Sequence, residues 1–166
     1  MRVLGIDCGT EFTGYGVVDT HPGSSQLLHI AAGTVRLNKK HTTPQRLMQI
    51  FAELTAQIEL YQPDVIAVEE VFFSANAKSA LKLGQVRGVA LLAAALTGKP
   101  VAEYAPLSIK SAVVGYGLAQ KEQVQFMVMR LLKLEQKPDS PDAADALAVA
   151  ICHLHTAQTL AVQGLR

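Results

Sequence analysis

Two periods organise the hydrophobic positions of this chain. Short runs that are apolar without interruption, or alternate, read as strands: Arg2 to Asp7, Gly14 to Asp19, Leu27 to Leu37, Val65 to Glu69 and Val101 to Tyr104. Apolar residues at helical spacing, among them Leu47, Ile50, Phe51, Leu54, Ile58 and Tyr61, predict a helix from Pro44 to Tyr61 that Gln62-Pro63-Asp64 stops. Further helices are predicted over Lys78 to Leu96, Leu107 to Val113, Lys121 to Leu134 and Pro141 to Thr156. Cys8-Gly9-Thr10 and His21 to Ser25 read as turns, and Lys39-Lys40-His41 as a basic loop. The order is a β-meander followed by β-α-β crossovers. That order predicts an α/β fold: a five-stranded mixed sheet, meander plus parallel strands, with helices on both faces. The expected organisation is one domain over residues 1–158 and a short tail over 159–166.

Acidic residues stand where this pattern makes them conspicuous. Asp142 and Asp145 lie three apart at the start of an otherwise apolar helix, so they project side by side. Ser140 suits the N-cap, Pro141 the first helical position, and Asp142 complements the helix dipole. Asp145 lies past the first turn, where that benefit has faded. Two partly buried carboxylates repel one another and lose hydration, and a divalent cation held by oxygen ligands relieves both costs. Asp7 and Glu69 each end an apolar strand. If the first and fourth strands pair in parallel, both reach the sheet edge where ligands of open α/β folds bind. Four carboxylates there form a two-metal phosphoryl-transfer site. Alternation allows only one of Glu69 and Glu70 to face Asp7, and the sequence pattern leaves either open.

Charge adds little until that site is set apart. The chain has 15 basic and 14 acidic side chains, a net +1. With four carboxylates assigned to a metal site, ten acidic residues remain against fifteen basic ones, leaving +5 for a weakly basic nucleic-acid surface. Cys8 and Cys152 are too far apart in sequence to form a zinc pattern, and the five scattered histidines read as surface or satisfied side chains. Met1 leads straight into a strand, without a signal peptide, and the longest apolar run, Val89 to Leu96, is too short to cross a bilayer. A cytoplasmic protein with no membrane partner is expected.

Several stretches together resemble the RuvC family of Holliday-junction resolvases over nearly the whole chain. They are Leu4-Gly5-Ile6-Asp7-x-Gly9, Thr13 to Val17, Ala67 to Phe72, Asn76 to Gly88, Val113-Val114-Gly115, Lys121, Leu131 to Leu134, and Asp142 to Ala148. The resemblance implies an RNase H-like fold, a homodimer, and Mg²⁺-dependent symmetric nicking of four-way junction DNA, with two ions per active site and Mn²⁺ as a substitute. It also implies a branch-migration helicase complex as a partner. The family's acidic residues map onto Asp7, Glu69, Asp142 and Asp145, which selects Glu69 over Glu70. Lys110 and Lys121 are implied near the cut phosphates, and Phe72, followed by Phe73, at opened bases. Lys82 and Arg87 either track phosphates or are solvated, and Gly84 and Gly88 mark a close backbone approach, either within the chain or across a dimer. Cys8 replaces a common proline and Glu11 a common basic residue, which puts the turn geometry and a phosphate contact there in question.

The hairpin Gly5 to Thr10 also looks like the phosphate-binding turn of the sugar-kinase, Hsp70 and actin ATPases. Those need a second lobe and a second glycine-rich loop, and Asp142 and Asp145 have no place in them. A junction-binding protein without nuclease activity, or a nuclease of RNase H type, are the remaining alternatives.

Overall fold

A computed structural model describes residues 1–21, 23–70 and 76–164. Its strands are β1 (Arg2–Asp7), β2 (Phe12–Thr20), β3 (Leu27–Arg36), β4 (Val65–Glu69) and β5 (Val101–Tyr104). They form one sheet in the order β3-β2-β1-β4-β5. β1, β2 and β3 pair antiparallel, and β1, β4 and β5 pair parallel. The helices are α1 (Thr43–Tyr61), α2 (Ala77–Leu96), α3 (Pro106–Val114), α4 (Lys121–Leu131) and α5 (Pro141–Val162). The expected α/β architecture, with helices on both faces, is what the chain adopts.

Strand pleating divides the core in two. Leu4, Ile6, Ile66 and Val68 face α1 and α2, where they pack with Ile50, Leu54, Ile58, Val86 and Ala90. Val3, Val18 and Ala67 face the other way, onto α5 and the α3–α4 pair. Lying between the sheet and those two helices, α5 buries Ala143, Ala144 and every residue from Ala146 to Cys152. It sits unusually close to the sheet because the strands offer glycine beneath it. A Cβ on Gly5 would come within 2.1 Å of the Ala146 carbonyl oxygen, one on Gly14 within 2.0 Å of that of Asp142, and one on Gly16 within 2.7 Å of the Leu147 nitrogen. No side chain fits between these backbones.

Helix ends depart from expectation in two places. α4 stops at Leu131, not Leu134. Lys133 adopts φ 52, and the Leu134 N–H returns to the Met129 carbonyl at 2.9 Å, a helix-ending turn usually built on glycine. α5 runs to Val162, six residues past Thr156 and into the expected tail, and ends before Gly164 at φ 70. α2 is long and apolar enough by composition to cross a membrane, a property the shorter Val89 to Leu96 run did not reveal. It is nonetheless packed on the sheet through Val86, Ala90, Ala93 and Ala94.

Gly14→Ala is expected to lower stability by about 3 kcal/mol, because the new methyl overlaps α5 backbone rather than a side chain able to turn away. Thermal denaturation should show Tm falling by roughly 6–12 °C for a chain of this length.

Candidate active site

Pleating also selects the acids. Residues 3, 5 and 7 of β1 and 65, 67 and 69 of β4 share the α5 face, and the parallel register pairs Gly5 with Ala67 and Ile6 with Val68. Asp7 and Glu69 therefore leave adjacent strand ends on the same side, and Glu70 points elsewhere, exposed. The α5 seat brings Asp145 to them. Ser140 caps the helix, its Oγ accepting from the Ala143 N–H at 3.0 Å, and hydrogen-bonds Thr34 of β3. These contacts fix the turn of helix that bears both aspartates.

A cavity of about 340 Å³ at this edge is lined by Asp7, Glu69, Asp145, Lys110 and Lys121, with Pro106, Ile109, Val124, Ala148 and Val149 as its apolar wall. Two larger hollows, of about 680 and 810 Å³ around the far end of α5, gather no more than one carboxylate between them. Chemistry, not size, singles out the smaller one. Asp142 is not part of its lining, but its charge acts on both Asp7 and Asp145.

The carboxylates are under electrostatic load. Burial, then the charges of Glu69 and Asp145, push the Asp7 carboxyl up to about 8, and Asp7 and Glu69 share a hydrogen bond. Burial also raises Glu69 and Asp145, against the pull of Lys121 and Lys110. The Lys121 ammonium lies 2.5 Å from Asp145 Oδ2. Burial works against the charge of Lys121, but the bond to Asp145 and the nearby acids outweigh it and raise its pKa. As they stand, no three His, Cys, Asp or Glu side chains among the described residues converge closely enough to ligate one ion. The Asp7–Glu69 hydrogen bond and one lysine offset the repulsion between the acids. Such a cluster, with only oxygen donors and excess negative charge, suits a hard divalent cation.

Other expected residues fall in varied places. Phe72 and Phe73 lie outside the described residues. Cys8 is half-buried, and burial followed by the Asp7 charge pushes its thiol up to about 12, which leaves it unreactive. Glu11 pairs with Lys39 at 3.2 Å on the surface. His153 Nδ1 bonds the Tyr104 hydroxyl and His155 Nδ1 the Ala112 carbonyl, so both histidines are satisfied structurally. Lys82 is exposed, whereas Arg87 is largely buried, where it reaches the Glu69 carbonyl and pairs with Glu103. Sequence reading did not single out Glu103; its place opposite Val68 in the β4–β5 register is visible only once the strands are paired.

A family profile described as "Crossover junction endodeoxyribonuclease RuvC" matches residues 3–153. The chain is 62% identical over 171 residues to the protein of that name from Acidobacterium capsulatum, covering all of both chains. It is 57% identical to that from Koribacter versatilis, covering 96% of each. Among solved structures, Thermus thermophilus RuvC in complex with Holliday junction substrate superposes with a TM-score of 0.89 at 34% identity, covering 96% of each chain.

An acid whose pKa is raised on folding takes up a proton that the unfolded chain lacks. For Asp7, metal-free stability should therefore fall as pH rises from about 4 towards 8 and level off above. Asp7→Asn is expected to flatten that slope and to raise Tm at pH 8 by several degrees in chelator. An unchanged slope, measured by thermal denaturation across the range, would show that another group titrates.

Proposed function

From its membership of the RuvC family of crossover junction endodeoxyribonucleases, to which the chain belongs, we propose that this protein resolves four-way (Holliday) DNA junctions in homologous recombination and repair. It does so by paired symmetric nicks through phosphodiester hydrolysis, leaving ligatable 5′-phosphate and 3′-hydroxyl ends. The observation that carries this reading is the cavity joining Asp7, Glu69 and Asp145 to Lys110 and Lys121 at the carboxyl ends of β1 and β4. A relative of the same fold, at 34% identity, has been solved with junction DNA bound.

Asp7, Glu69, Asp142 and Asp145 would hold two Mg²⁺ ions, with Mn²⁺ able to replace them. When bound, such ions polarise the scissile phosphate and lower the pKa of a coordinated water. The protein's own groups do the rest. Asp7, the acid pushed up furthest, would release its proton to solvent and stand with Glu69 as a carboxylate. Lys121 turns from Asp145 towards the phosphate, and with Lys110 it balances charge that builds on the phosphate oxygens. The apolar wall of Ile109, Val124 and Val149 limits bulk water. Phe72 and Phe73 follow β4 directly in sequence and are assigned to stacking on opened bases.

We assign homodimer contact to α2. Leu81, Gly84, Gly88, Leu92 and Leu96 fall on one exposed stripe of this helix, Leu81 being 72% and Leu96 68% accessible. Among the described residues a Cβ at Gly84 or Gly88 would meet nothing within 4 Å, so no described element of the same chain packs on these glycines. The helicase complex is assigned as a partner on family grounds, and the cytoplasm as the location.

On a labelled mobile junction, Mg²⁺ should support paired nicks that ligase seals. Asp7→Asn should abolish them, by 10²-fold or more, while junction binding survives; wild-type cleavage by Asp7→Asn would refute the metal site. In light scattering at micromolar concentration the chain should be a dimer, and Gly88→Glu should yield monomer of near-unchanged Tm. A monomeric wild type would sink the α2 assignment.

A further inference from the structure

We propose that Arg87 is a positioning residue for the active site: from α2, its guanidinium holds the backbone of Glu69 on the face of the sheet opposite the catalytic cavity. Among the charged residues of α2, Lys78 and Lys82 are exposed, whereas the Arg87 side chain retains only 20% of its accessibility. Its Nε donates to the Glu69 carbonyl oxygen at 3.2 Å, and Nη2 pairs with Oε2 of Glu103 on β5. Glu103 stands opposite Val68, and the Glu70 N–H donates to the Tyr104 carbonyl at 2.8 Å. The last residue of β4 is thus held from its β5 side by strand pairing and from its α2 side by Arg87.

The division of labour follows from the pleat. The Glu69 side chain enters the cavity, and Arg87 is absent from the cavity lining. In this proposal Arg87 acts through Glu69, to whose carbonyl it donates, and not from within the cavity. A guanidinium presents several N–H donors in a rigid fork, so one side chain engages a carbonyl and a carboxylate at once with fixed geometry. A lysine offers a point charge without that fork. Glu69 is the last residue of β4, so its carbonyl is the natural point to restrain. A displacement near 1 Å of a ligating carboxylate is enough to cost on the order of 10²-fold in rate.

This inference rests on the metal-site reading given above, and the test separates the two. Arg87→Gln, Arg87→Lys, Glu103→Gln and Asp7→Asn are compared by three measurements: Mn²⁺ affinity by calorimetry without DNA, junction affinity in Ca²⁺, and single-turnover cleavage in Mg²⁺. Arg87→Gln should weaken Mn²⁺ binding and slow cleavage by about tenfold or more, with junction affinity changed less than about twofold. Arg87→Lys, which keeps charge and most packing, should fold with near-native Tm and show the same Mn²⁺ loss, so the test survives if Arg87→Gln is unstable. Combining Arg87→Gln with Glu103→Gln should add nothing further. Native Mn²⁺ affinity in both Arg87 variants would overturn the proposal, as would a weakened junction affinity with Mn²⁺ binding intact, which would make Arg87 a DNA contact. Native Mn²⁺ binding and cleavage by Asp7→Asn would instead overturn the metal-site reading itself.

Discussion

Everything at the sheet edge that carries the acids depends on how closely α5 lies against the sheet. Gly5, Gly14 and Gly16 leave no side chain beneath the helix, and α5 answers with alanine at 143, 144, 146, 148 and 150. Backbone meets backbone over three turns. Side chains on α5 are therefore positioned by main-chain geometry, and Asp145 reaches the acids of β1 and β4 without an intervening rotamer-rich layer. A thicker interface would lift the same aspartate away from them. The helix is apolar on nearly every face because α3 and α4 cover its far side.

That seat concentrates negative charge where water is scarce. Asp7, Glu69 and Asp145 are all pushed up from their ordinary values, with burial the leading cause in each. Their repulsion is offset by the Asp7–Glu69 hydrogen bond and by the Lys121 ammonium beside Asp145. The same lysine that neutralises Asp145 also lines the cavity beside Asp7 and Glu69.

Much of this was legible in sequence because the strands and long helices carry strong periodicity, and because acids that end apolar strands are conspicuous. Parallel pairing of β1 with β4 followed from the order of elements. Glu69 and Glu70 could not be separated by pattern, since parity becomes meaningful only when a neighbouring strand sets the reference. The end of α4 was hidden because Lys133, not glycine, takes the left-handed turn. α5 outran its apolar pattern because nothing before Gly164 breaks a helix. For Arg87 the sequence left phosphate tracking and solvation equally open, and its pairing with Glu103 emerges only from the β4–β5 register.

β4 has a consequence for how the fold is reached. Val65 to Val68 are apolar on both faces, so hydrophobic alternation does not distinguish the native alignment from a one-residue slip, and the doubled Glu69-Glu70 would still offer an acid after slipping. Alignment is written instead in polar ties at the two ends. The Arg2 N–H bonds Asp64 Oδ2 at 2.7 Å and the Asp64 N–H returns to the Arg2 carbonyl at 2.8 Å, while Glu70 is tied to Tyr104 at the other end. These ties join residues about sixty positions apart at one end and more than thirty at the other. The alignment of this central strand thus rests on long-range polar ties and not on its hydrophobic pattern, so removing them would loosen its register before its core.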